Sequence, residues 1–131
     1  MIKRLATEIK TFLDDNFLNG DCRIYFNGMC WEHDMEDDPL TYDAESGEYL
    51  EIPERTSWKT ISNINPRRYF SFANGIISMS FEGSFYYVIN PWYADFPKTF
   101  EKYNSQFSNL LKKYNCYYEP GDAWNLSIYE E

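Results

Sequence analysis

Apolar residues at the start of the chain recur every three or four positions. Ile2, Leu5, Ala6, Ile9, Phe12, Leu13 and Phe17 form one stripe, which predicts an amphipathic helix over 2–17. Lys3, Arg4, Glu8, Lys10, Asp14 and Asp15 fall off that stripe. Asn19-Gly20 ends the helix, because glycine accepts the left-handed backbone of a C-terminal cap. Bases near its start and acids near its end oppose the helix dipole, so packing has to hold it. A second stripe of Phe96, Phe100, Tyr103, Phe107, Leu110, Leu111 and Tyr114 predicts a helix over 96–114. Pro97 sits in its first turn, where no amide partner is needed, and Asn115 serves as its cap. Lys112 and Lys113 lie at the end where the dipole favours cations.

Between these helices the period changes to two. Cys22, Ile24 and Phe26 alternate with Arg23 and Tyr25, Asn27-Gly28 offers a tight turn, and Met29-Cys30-Trp31 returns. Leu40-Thr41-Tyr42 and Glu48-Tyr49-Leu50-Glu51-Ile52 flank Glu45-Ser46-Gly47, which predicts a short hairpin with acids on its outer face, ended by Pro53. Residues 54–68 read as a connector with Asn65-Pro66 and one turn of helix around Trp58. The strongest β pattern covers 69–90, where Asn74-Gly75 and Glu82-Gly83 separate three runs rich in β-branched and aromatic residues. That pattern predicts a three-stranded antiparallel meander, broken by Asn90-Pro91. Cys116-Tyr117-Tyr118 and Ala123–Tyr129, joined through Glu119-Pro120-Gly121-Asp122, predict a C-terminal hairpin. The expected fold is a single α+β domain over 1–131. It has an N-terminal helix, an antiparallel sheet of about five to seven strands and a second helix packed on that sheet.

Charge adds a feature that the hydrophobic pattern does not carry. The 131 residues have a formal net charge of -9. Ten acids fall between Glu32 and Glu54, a window without Lys or Arg, while the rest of the chain is nearly neutral. Such a chain has no general affinity for nucleic acid or anionic membrane, since both are bound through Lys and Arg. It is drawn instead to basic protein surfaces. No apolar run approaches the roughly 20 residues that span a bilayer. Met1-Ile2-Lys3-Arg4-Leu5 does not open a signal peptide, so the expectation is a cytoplasmic protein. The three cysteines, Cys22, Cys30 and Cys116, form no C-x-x-C pair and read as free buried thiols.

Motifs for catalysis and metal binding are weak. Asp34, Glu36, Asp38 and Glu45 have the spacing of an EF-hand calcium loop, but Pro39 stands where the sharp turn needs glycine. His33 reads as an exposed histidine in an acidic loop rather than a metal ligand. The sequence holds no G-x-S-x-G elbow, no glycine-rich phosphate loop and no H-E-x-x-H. The other excess is aromatic: 12 Tyr, 10 Phe and 4 Trp, more than one small core can bury. Exposed Tyr and Trp are the side chains that anchor interfaces.

Two segments, Phe81–Asn90 and Tyr117–Leu126, resemble parts of small proteins from phages and mobile elements of Gram-positive bacteria. Size, acidity and α+β pattern also resemble phage inhibitors of host defence, including anti-CRISPR and anti-restriction proteins, several of which mimic nucleic acid with surface carboxylates. The resemblance implies no catalytic residue. The expectation is a non-enzymatic inhibitor of a basic nucleic-acid-handling enzyme or defence complex, with no metal or cofactor. Glu32, Asp34, Glu36, Asp37, Asp38, Asp43, Glu45, Glu48 and Glu51 would stand in for phosphates, with Trp31, Tyr42 and Tyr49 as apolar anchors. The alternatives are a small-molecule or sugar-binding module built on exposed aromatics, and a phage structural or assembly protein.

Overall fold

The computed structural model describes residues 1–33, 40–43, 45–51, 58–71, 73–91 and 97–131, with backbone alone for 40–43 and 48–51. Helix α1 (Ile2–Asp15) buries Leu5, Ala6, Ile9, Phe12 and Leu13 of the predicted stripe, but it ends before Phe17, which is exposed and itself takes, at φ 56°, the left-handed backbone expected at Asn19-Gly20. Strands β1 (Cys22–Phe26) and β2 (Met29–His33) turn at Asn27-Gly28, whose φ angles of 50° and 75° give the hairpin twist that suits paired strands. Strands β3 (Leu40–Asp43) and β4 (Glu48–Glu51) form the predicted second hairpin as a separate two-stranded sheet, with Gly47 at φ 71° in its turn. Strands β5 (Trp58–Ser62), β6 (Ile77–Phe81), β7 (Cys116–Pro120) and β8 (Asn125–Glu130) join β1 and β2 in one six-stranded antiparallel sheet, ordered β5-β2-β1-β6-β8-β7. Helices α2 (Ser84–Ile89) and α3 (Pro97–Lys112) complete the α+β architecture. Among the described residues no helix is long and apolar enough to cross a membrane.

Two further local expectations are corrected. Trp58 opens β5 instead of sitting in a helical turn, and its indole Nε1–H donates to Asp14 Oδ1 at the end of α1, 2.8 Å away. The meander over 69–90 contributes only β6, and Ser84–Ile89 is helical. The glycines explain why. A Cβ on Gly75 would lie 2.0 Å from the Ile128 carbonyl oxygen, and one on Gly83 would lie 2.2 Å from that of Gly20. Neither glycine has positive φ. Both permit close backbone approach where the pattern predicts hairpin turns. After Gly83 the helix places Phe85 and Ile89 one turn apart against the core, and Asn90 Nδ2 donates to the Tyr86 and Ala123 carbonyls at 2.7 and 2.8 Å. This packing overrides the β-propensity of the segment. Pro53 and Phe96, which the pattern uses as element markers, lie outside the described residues.

The three helices cover one face of the sheet. One cross-strand row on that face reads Thr60, Trp31, Ile24, Met79, Leu126 and Pro120. Ile24, Met79 and Leu126 are buried in the main core with Leu5, Phe85 and Phe107. The helical assignment of 84–89 has a direct test. A strand would put Phe85 and Tyr87 on the same face, whereas they are 0% and 51% exposed. Phe85→Ala is expected to cost about 3–5 kcal/mol and Tyr87→Ala less than about 1 kcal/mol, read from urea unfolding midpoints.

Candidate functional site

The second face of the sheet has a different chemistry. Its cross-strand rows carry Lys59, Glu32, Arg23, Ser80 and Asn125, then Ile61, Cys30, Tyr25, Ser78 and Ser127. The segment after β5 packs on part of this face. The Ile64 amide donates to Gly28 O at 2.9 Å, a 3-10 turn follows at Pro66–Arg68, and Asn65 Oδ1 accepts the Arg67 amide to start it. Arg67 then holds the returning chain through the Ala73 carbonyl and Asn74 Oδ1, at 3.3 and 3.0 Å. Phe70 and Ala73 are thereby buried against Tyr25 and Cys30, with Ile64 and Trp124 beside them.

Beside that segment the described residues leave a cleft of about 390 Å³ on this face. Arg23, Glu32, Tyr69, Ser80, Glu82 and Trp124 are among its walls. Arg23 is held from two sides. Its guanidinium donates from Nε to Glu32 Oε1 at 2.9 Å and from one terminal nitrogen to buried Asp21 at 3.1 Å, while the other terminal nitrogen stands 2.8 Å from Glu32. Burial by itself would lower the Arg23 pKa, but the Glu32 and Asp21 carboxylates outweigh it and raise the value. Tyr69 is 58% exposed and stacks on the buried Tyr25 ring with centroids 6.3 Å apart. Burial raises the Tyr25 phenol pKa, opposed by its hydrogen bond with Ser80. Ser78 and Ser127 share a hydrogen bond of 3.1 Å deeper in the sheet.

No match emerged from comparison of the chain with protein-family models, curated proteins or solved structures. Roles therefore have to be argued from this chain's own residues.

The acidic segment is split by the fold. Glu32 and Trp31 are neighbours in β2 and face opposite sides of the sheet. Glu32 belongs to the cleft, bound to Arg23 and opposite Lys59. The window without bases is thus partly compensated by bases from neighbouring strands. Trp31 is half-buried on the helix side, edge-on to Phe26 at 4.6 Å, with Lys10 Nζ 5.7 Å from its ring. Asp43, Glu48, Glu51, Tyr42 and Tyr49 lie on the β3–β4 hairpin, where Tyr42 opposes Tyr49 and Asp43 opposes Glu48. Glu45 is exposed in its turn. Asp34, Glu36, Asp37 and Asp38 lie outside the described residues.

His33 corrects the expectation of an exposed loop histidine. It ends β2, is 2% exposed and meets the Trp58 ring edge-on at 5.1 Å. Among the described residues no group of three or more His, Cys, Asp or Glu is placed to hold a metal ion. The sequence reading missed the cleft. Period-two alternation places Arg23 with Tyr25, and Cys30 with Glu32, on the second face, but nothing local announces that Tyr69, Glu82 and Trp124 join them.

The thiols at 22, 30 and 116 are free and buried, as expected. Burial pushes the Cys30 thiol from 9.0 up to about 12 and raises that of Cys116. With a folded value above the unfolded one, the Cys30 contribution to stability is full below pH 9.0 and is lost as pH rises towards about 12. A disulfide-exchange reagent at about pH 8 is expected to find no fast-reacting thiol in the native protein and all three in guanidinium. A rapidly labelled native Cys30 would contradict this burial.

Proposed function

We propose that the protein is a non-enzymatic, acidic binding protein that inhibits a basic nucleic-acid-handling enzyme or defence complex. One observation carries the reading. The β3–β4 register sets Asp43 opposite Glu48 in a two-stranded sheet, with Glu45 in the turn and Glu51 opposite Leu40. Like charges directly opposite each other destabilise a strand pair, and an isolated two-stranded hairpin is marginal in water. Four carboxylates on such an element disfavour the free hairpin and favour a surface rich in Lys and Arg. The remainder of the 32–54 window contributes further acids and no base. Carboxylates of this kind occupy positions that otherwise hold phosphates, speed encounter and set orientation.

The test is a surface-binding measurement against the basic protein retained from host lysate. Asp43→Asn, Glu45→Gln, Glu48→Gln and Glu51→Gln are combined in one variant. The association rate is expected to fall by about 10- to 100-fold at low salt, with a smaller change in the dissociation rate. Nucleic acid is expected to compete with the wild-type protein for the same partner. Unchanged affinity of the combined variant would overturn the proposal.

A further inference from the structure

The cleft on the second face of the sheet has walls that select a type of ligand. Among the described residues its one cationic lining residue is Arg23, and that guanidinium is already engaged by Asp21 and Glu32. An incoming anion would meet a guanidinium whose charge two carboxylates already neutralise. Glu82 is exposed at the cleft and adds a further negative charge. Asp21 and Glu32 on the guanidinium, with Glu82 at the cleft, thus leave the site with a surplus of negative charge. Lys59, opposite Glu32 on β5, is not part of the lining and trims the surplus without reversing it. Tyr69 and Trp124 add aromatic surface, and Tyr69 is more than half exposed while its other neighbour, Tyr25, is buried. Aromatic faces attract cations, and the planar guanidinium stacks on them as well.

We propose that this cleft receives an arginine side chain of the basic partner, the guanidinium lying against Tyr69 and Trp124 and hydrogen-bonding to Glu82 and the outer oxygen of Glu32. The assignment rests on the reading of a basic protein partner and adds an anchor point distinct from the β3–β4 hairpin. Long-range attraction belongs to the hairpin, and the cleft supplies a short-range contact that slows release.

Methylguanidinium chloride is the probe, titrated into the ¹⁵N-labelled full chain and followed by amide and indole resonances. The expected result is a saturable shift of the Trp124 indole N–H and the Ser80 amide that sodium chloride at equal ionic strength does not produce. Tyr69→Ala and Glu82→Gln, both at exposed positions, should each weaken the probe by about two- to fivefold while the rest of the spectrum is retained. The combined hairpin variant should bind the probe like wild type, so failure of the hairpin reading and failure of the cleft are separable. Shifts that follow ionic strength alone would overturn the assignment. So would saturation by glucose in place of methylguanidinium, or wild-type probe binding in both cleft variants.

Discussion

The Phe107 ring is the contact on which the helical layer depends. It lies at 5.8 Å from Phe12 of α1, 5.5 Å from Phe85 of α2 and 5.4 Å from Tyr118 of β7, centroid to centroid, and is fully buried. One side chain of α3 therefore touches both other helices and the sheet. Phe85 continues the chain of rings to Phe81 at 4.9 Å, so the end of β6 is tied to the same cluster. Tilted and edge-to-face pairs of this kind add to the burial of each ring. The arrangement also accounts for α1, whose charges oppose its own dipole and whose stability comes from the buried stripe. At the rim, Glu8 of α1 bonds Lys113 at 2.6 Å and the Tyr114 hydroxyl, and these hydrogen bonds hold the Glu8 pKa below the ordinary carboxylate range. That contact is exposed and orients the helices more than it stabilises them.

With one face of the sheet committed to the helices, the other is free to carry polar chemistry. Ser78, Ser80, Asn125 and Ser127 are buried there, an expensive composition unless hydrogen bonds satisfy it. The Ser78–Ser127 bond and the Asn125 contacts with Asp122 supply part of that satisfaction. Ile64, Phe70 and Ala73 pack on part of this face, and the cleft lies beside them. The acidic hairpin and the cleft are therefore different kinds of surface. One is a local concentration of like charge on a marginal element. The other is a concave site in which the Arg23 guanidinium is already neutralised.

Much of the fold was legible in the residue pattern. The stripes of α1 and α3, the Asn27-Gly28 hairpin, the hairpin around Glu45–Gly47 and the C-terminal pair β7–β8 follow from period and turn chemistry. The failure at 69–90 is instructive because the same dipeptide occurs twice. Asn27-Gly28 has positive φ at both residues and makes a hairpin, whereas Gly75 serves a close approach to Ile128. Local sequence does not separate those uses. The candidate site was legible only in fragments. The hairpin acids were visible, but the pairing of Glu32 with Arg23 needed the β1–β2 register, and the cleft needed residues from five separate stretches of chain.

By itself the sequence determined the α+β class, the two long helices, the local hairpins and the concentration of acids between Glu32 and Glu54, because each depends on period, turn residues or charge within a short window. Tertiary structure alone decided that Ser84–Ile89 is a helix, that Trp58 and His33 face one another across β5 and β2, and that Arg23, Glu32, Tyr69 and Trp124 share a cleft. Those outcomes follow from contacts between residues far apart in the chain, where the burial of Phe85 or the approach of one backbone to another outweighs a local preference of a few tenths of a kcal/mol.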